Sequence, residues 1–356
     1  MSGRHVLVVR LDSMGDVLLS GPAVRAVRSG AGRVTLLAGP DGAEAARLLP
    51  GVDEVLVWSC PWIAAPPPAV DDADLAGLVR RLAALEIDEA VILTSFHQSA
   101  LPTALVLRLA GVDRVSAVSD DYPGSLLDER VCSPPEGPEA ERMLAICRAA
   151  GFELPAGDDG RLRVHGLPPR PAALPAVPYV VVHPGTSAPA RAYPQECWPA
   201  VADALADRGW DVVVTGSSGE RALTAAVATG AASARVRDHG GGYDLPELAS
   251  LLQHSRAVVV ANTGPAHLAA AVGTPVVSLF APVVPATRWA PYGVPTVLLG
   301  DQSAPCQGTR ARTCPVVGHP CLASVSAEQV VAAVEALVGA PERTTVAIGA
   351  GQRRDA

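Results

Sequence analysis

Lysine is absent from the 356 residues, and all 28 basic side chains are arginine. The 36 acidic residues outnumber them, for a formal net charge of −8. That balance argues against nucleic acid or an acidic membrane surface as the main partner. Long apolar runs are also missing. Every hydrophobic stretch meets a Gly, Pro, His or charge before it reaches membrane-spanning length, so no transmembrane segment is expected and membrane contact is at most peripheral. The opening stretch makes a poor signal peptide, because Arg10 and Asp12 interrupt it. Seven cysteines, an odd number in a long chain, point to reduced thiols and a cytoplasmic location. Two motifs are absent as well. No GxGxxG follows a strand, which speaks against the dinucleotide fingerprint. No D-x-D follows a strand either; Asp72-Ala73-Asp74 follows a Pro-rich loop and reads as a helix start.

What is present is a nearly half-apolar chain, long enough for two domains. Strand-like runs are expected at residues 5–11, 34–37, 54–57, 89–93, 114–118 and 129–132. A second set follows at 179–183, 210–215, 235–238, 257–261 and 274–279. Helical stretches separate them, including 17–28, 75–85, 99–109, 138–151, 245–253 and 327–338. Strand–helix alternation implies parallel, doubly wound sheets of the α/β class. Prolines crowd residues 152–178 where periodicity fades, which marks a domain boundary. The expected division is 1–165, 172–340 and a mobile polar tail at 341–356.

Residues 256–282, RAVVVANTGPAHLAAAVGTPVVSLFAP, organise the second half. A buried strand ends in Asn262-Thr263-Gly264-Pro265, and a helix starts there. Free N–H groups and the helix dipole at such a turn suit a phosphate, although an ordinary βαβ unit has the same pattern. The first strand ends in a similar turn, Asp12-Ser13-Met14-Gly15-Asp16. Asp16 is either a catalytic carboxylate or a first-turn acid favoured by the helix dipole. Glu220 is either a ligand contact or the partner of Ser217 in a capping box. His97, in the loop after the fourth strand, either touches a ligand or is merely solvated. Cys306, Cys314, His319 and Cys321 share a Pro-rich loop; their spacing fits no standard zinc knuckle and favours free thiols over a metal site.

Five segments in order carry a resemblance. VLVVRLDSMGDVLLSGPAVRAVR, TSFHQSAL, VVVHPGTSAPARAYPQECWPAVADALADRGWDVVVTGSSGE, VVVANTGPAHLAAAVGTPVVSLFAP and CLASVSAEQVVAAVEAL are similar to glycosyltransferase family 9, the ADP-heptose:lipopolysaccharide heptosyltransferases. The resemblance covers residues 5 to about 338. It implies a GT-B fold, with two Rossmann-like domains facing a central cleft. It also implies inverting transfer from an ADP-sugar without metal or other cofactor, with Asp16 as base. Ser13, Met14, Gly15 and His97 fall on the acceptor side. Thr186, Arg191, Gly216, Glu220, Asn262, Thr263, Gly264 and His267 fall on the donor side, where Arg191 holds phosphate. Asn262 departs from the Asp of many members. Because no lysine platform for a phosphorylated lipid stands out, the acceptor is either a glycan or a small molecule. Two other readings share the fold: a nucleotide-sugar epimerase, and a natural-product glycosyltransferase using a different sugar nucleotide. A degenerate chain used only for binding would not need Asp16, Arg191 and the Thr263 turn together.

Overall fold

A computed structural model describes residues 3–132 and 136–341. The expected tail lies outside the described residues apart from Pro341. Among these residues, twelve strands form two sheets. β1 His5–Arg10, β2 Arg33–Ala38, β3 Glu54–Val57, β4 Glu89–Ile92, β5 Arg114–Val118 and β6 Glu129–Val131 make the first. β7 Tyr179–His183, β8 Asp211–Val214, β9 Val236–Asp238, β10 Ala257–Ala261, β11 Val276–Leu279 and β12 Thr296–Leu299 make the second.

The strand orders are β3-β2-β1-β4-β5-β6 and β12-β11-β10-β7-β8-β9. Numbered within its own half, each sheet has the same order, and every pairing between neighbouring strands is parallel. The valine-rich central strands explain this. β1, β7 and β10 are buried along their full length, as strands covered by helices on both faces must be. Val6 pairs with both Val34 and Glu89, and Val258 with both Val181 and Val276. In each sheet the order reverses between the first and fourth strands. A doubly wound sheet opens its ligand crevice at that switch, beyond the carboxyl ends of the strands. The turns after β1, β4, β7 and β10 therefore converge, and these are the turns that hold the expected site residues.

Three differences from the sequence reading have physical causes. The helix expected over 17–28 is two, Met14–Leu19 and Gly21–Gly30. Pro22 cannot continue a helix from the preceding turn, but it fits the first turn of a new one. The Ser20 hydroxyl donates to the Val17 carbonyl at 2.6 Å, inside the break. β12 was not anticipated: it is a short edge strand with no fully buried residue, so its apolar run is weak. The Asp72–Ala83 helix is capped from Asp71, whose side chain accepts the Asp74 N–H. Asp74 itself accepts Trp58 Nε1–H at 2.8 Å. Buried apolar side chains run without interruption from the first sheet, through the helices Met14–Leu19 and Gly264–Ala271, into the second sheet.

Candidate active site

Those two helices meet at their N-terminal turns, and glycine is what lets them meet. A Cβ at Gly15 would lie 2.8 Å from His267 Cδ2 and 3.3 Å from Gly264 Cα. A Cβ at Gly264 would overlap the Met14 Cε. The turn after β1 is thus pressed against the turn after β10, each glycine leaving room for a side chain of the other turn, His267 at Gly15 and Met14 at Gly264. Met14 contributes packing there and does not line the cavity beside it.

That cavity holds about 450 Å³. Its walls include Asp12, Ser13, Gly15, Asp16 and His97 from the first half, and Arg191, Asn262, Thr263, Gly264 and His267 from the second. The structure therefore brings most of the expected site residues together. Thr186, Gly216 and Glu220 do not line it. Thr186 accepts the Ala188 N–H at 3.4 Å and shapes the loop after β7. Glu220 Oε2 accepts both the Ser217 N–H at 2.7 Å, the reach-back bond of a capping box, and the Ser217 hydroxyl at 2.9 Å. The Glu220 carboxylate lies against Gly185, which has no Cβ to collide with it.

On the first wall the charges of the turn after β1 are paired with Arg10. Arg10 ends β1 with no exposed surface. It donates from Nη1 to the Leu93 carbonyl at 2.9 Å, and from Nη2 to Asp16 Oδ1 and Ser95 Oγ, each at 2.9 Å. Its Nε lies 3.2 Å from Asp12 Oδ2. Asp16 also accepts the Ser13 hydroxyl at 3.0 Å and, across the cleft, Trp289 Nε1–H at 3.3 Å. Ser13 stands at the N-cap but gives its hydroxyl to Asp16, and its side chain makes no cap bond. Burial alone would raise Asp16. The Arg10 charge, the Ser13 bond, His267 and Trp289 outweigh it and hold the carboxyl below the ordinary carboxylate range. Asp12 goes the other way: burial pushes it up, the Asp16 charge adds to that, and Arg10 and Gln98 only partly oppose it.

On the second wall cations stand alone. Arg191, Arg310 and Arg312 converge on the cavity, and among the described residues none makes a salt bridge. Burial lowers Arg191; the Asp16 charge across the cavity opposes this, and the neighbouring Arg312 and Arg310 charges add to it. Three polar atoms are buried there without a partner among the described residues: Arg191 Nε, Asn262 Nδ2 and His267 Nδ1. Each of the three keeps hydrogen-bonding capacity that a polar ligand could use. Burial holds His267 neutral, with a pKa of about 4.

Sequence reasoning missed Arg310, Arg312, Trp289 and Arg10. The first two lie in the cysteine loop, where the thiols drew attention; the usable signal was that no acid falls between Asp301 and Glu328. Arg288, an attractive alternative cation, is already engaged by Glu136 at 2.9 Å and Glu139 at 3.2 Å. Its guanidinium lies 4.8 Å from the Phe96 ring centroid. In the cysteine loop, His319 Nε2 lies 3.1 Å from the Ala190 carbonyl, and Cys306 and Cys321 are buried. Among the described residues, no group of three or more His, Cys, Asp and Glu is arranged to hold a metal.

Comparison with known proteins agrees with this fold. The chain is 36% identical over 143 residues to lipopolysaccharide heptosyltransferase 1 of Pseudomonas aeruginosa; the matched stretch spans 40% of this chain and 39% of that one. The fold matches E. coli ADP-heptose lps heptosyltransferase II with a TM-score of 0.70 at 18% identity, covering 94% of this chain and 98% of the other. E. coli heptosyltransferase WaaC with ADP gives 0.67 at 19% identity, covering 93% and 99%. These likenesses and the two parallel six-stranded sheets show the GT-B fold. Residues 76–318 match the model of glycosyltransferase family 9 (heptosyltransferase), and the chain belongs to that family.

Proposed function

We propose that the protein is an inverting glycosyltransferase. It moves a heptose or related sugar from an ADP-sugar to an acceptor hydroxyl, with Asp16 as general base and no metal requirement. The observation that carries this reading is the asymmetry of one cavity. A half-buried carboxylate stands on one wall, and three unpaired arginines beside a helix N-terminus stand on the other. A nucleotide-sugar keeps its negative charge on the diphosphate that departs. Arg191, Arg310, Arg312 and the free N–H groups of the Thr263–Gly264 turn would stabilise that charge. Asn262 Nδ2 and His267 Nδ1 offer the remaining polar contacts.

The acceptor oxygen attacks the anomeric carbon from the face opposite the diphosphate, which inverts the centre. Its proton passes to Asp16. In this reading residues 1–165 carry the acceptor and residues 172–340 the donor, with Thr186, Gly216 and Glu220 around the nucleoside. The acceptor is a glycan or a small hydroxylated molecule, met in the cytoplasm. A neighbour of the same fold is described with ADP, and adenosine diphosphate is the nucleotide expected here.

The test is incubation with ADP-heptose, first alone and then with a panel of acceptors, read by mass spectrometry and by NMR of the new anomeric centre. Transfer with inversion is expected. Retention at the anomeric carbon, or donor turnover to an epimer without acceptor, would overturn it.

A further inference from the structure

A proton moving to Asp16 creates an electrostatic problem on the first wall. Arg10 has no exposed surface, so no water can take over as its counter-charge. When Asp16 is neutralised, the 2.9 Å pair with Arg10 Nη2 loses its anion. Leaving one member of a buried ion pair uncompensated is strongly unfavourable. The same guanidinium has a second carboxylate: Asp12 Oδ2 lies 3.2 Å from its Nε. Asp12 is itself fixed in place. Gln98 Nε2 donates to Asp12 Oδ1 at 2.6 Å, and Gln98 Oε1 accepts the Ser95 N–H at 2.9 Å, which ties Asp12 to the turn after β4.

We propose that Asp12 is a positioning residue for the transfer: it is the standing counter-ion of Arg10, and it frees Asp16 to accept the acceptor's proton. The inference rests on Asp16 being the base. In the step, the acceptor O–H bond breaks and its proton goes to the Asp16 carboxylate. The oxygen's electron pair forms the new bond to the anomeric carbon. The bond from that carbon to the phosphate oxygen breaks, and its pair leaves with the diphosphate. Before the step Arg10 faces two carboxylates; after it, Arg10 faces Asp12. The other groups around Asp16 do not replace Asp12. Ser13 and Trp289 are neutral donors, His267 is neutral, His97 carries no anion, and Arg191 is a like charge to Arg10. Glu139, the remaining acid that acts on Arg10, is shared with Arg142 at 3.5 Å and Arg288 at 3.2 Å.

The test is a double-mutant cycle on release of ADP from ADP-heptose with water as acceptor, repeated with any acceptor that yields product. Asp12→Asn should lower kcat by about tenfold to a hundredfold, the scale of coupling between contacting groups, with the Kd for ADP unchanged. Asp12→Glu should recover most of the loss. In an Arg10→Gln background there is no buried cation to balance, so adding Asp12→Asn should cost less than about twofold. A loss of the same size in both backgrounds would show that Asp12 is scaffold only and would overturn the proposal. So would wild-type kcat in Asp12→Asn. An Asp12→Asn enzyme as inactive as Asp16→Asn in both backgrounds would make Asp12 itself the base. If Arg10→Gln does not fold, Asp12→Glu decides, since failure to recover rate above Asp12→Asn refutes the proposal. Asp16→Asn is measured alongside: if it keeps full kcat, the base reading fails independently of Asp12.

Discussion

The two walls of the cavity are built from turns of the same kind, at equivalent strands of two sheets with the same order, yet their electrostatics are opposite. After β1 and β4 every charged group has a partner: Arg10, Asp12, Asp16, Ser13, Ser95 and Gln98 close on one another. After β7 and β10, and in the loop after β12, Arg191, Arg310 and Arg312 have no acidic partner among the described residues, and Asn262 Nδ2 and His267 Nδ1 are buried without a partner among them. A self-contained network holds a proton acceptor at a fixed place and protonation state. An unsatisfied one waits for an anion. In the proposed reading, the difference teaches that a symmetric fold can separate proton handling from charge stabilisation by loop sequence alone, the division that glycosyl transfer requires.

The sharpest way to break this contrast is Asp16→Asn. It should lower kcat by about 10²–10⁴-fold, with ADP affinity unchanged by calorimetry; near-wild-type turnover would place proton handling elsewhere. Arg191→Ala and Arg310→Ala attack the other wall. Each should weaken ADP by about 1.5–3 kcal/mol, the worth of a charge-assisted contact. Arg288→Ala, which removes a side chain already paired with Glu136 and Glu139, should leave the ADP Kd near its original value. Equal losses for all three would erase the distinction between free and paired cations.

Gly15→Ala sets a Cβ against His267 and Gly264. Overpacking of this kind costs about 1–3 kcal/mol, read as a lower denaturation midpoint; an unchanged midpoint would mean that the two walls are not pressed together. His183 and His267 are each pushed down to about 4, chiefly by burial. An unfolded histidine binds its proton near pH 6.5, so the unfolded chain takes up more protons below that value. Stability is therefore full above about pH 6.5 and declines as pH falls towards about 4. His267→Gln should flatten part of that slope in denaturant titrations. The smallest effect expected is that of EDTA, which should leave transfer unchanged; loss restored by Mg²⁺ or Mn²⁺ would show that the arginine wall needs a cation to complete it.

Much of this was legible in the sequence, because buried parallel strands and strand–turn–helix junctions leave strong local marks. VVVANTGPAH announces its strand, turn and helix start, and the structure has β10 and the helix Gly264–Ala271 there. The break at Ser20 was hidden by an apolar pattern that runs across it. β12 was hidden by its edge position. At the site, the turn residues just after β1 and β10 could be named in advance, while Arg10 inside the end of β1 and the residues supplied across the cleft were not. Trp289 reaches Asp16 over 273 positions of sequence. Arg310 and Arg312 arrive on a loop whose path depends on contacts such as the Ala190 N–H to the Arg312 carbonyl at 2.8 Å. No local pattern encodes such meetings. The capping reading of Glu220 was also available beforehand, and its reach-back bond is present.

Arg310 has a backbone φ of +57°, a left-handed conformation that glycine adopts freely and other residues adopt at a cost. Stability and charge therefore make opposite demands on this one codon. An Arg310→Gly change would relax the backbone by about 1 kcal/mol and make the loop easier to fold, while removing a third of the free positive charge facing the cavity. A search for thermostable variants of this enzyme would be drawn to that replacement, and activity should decline as the melting point rises.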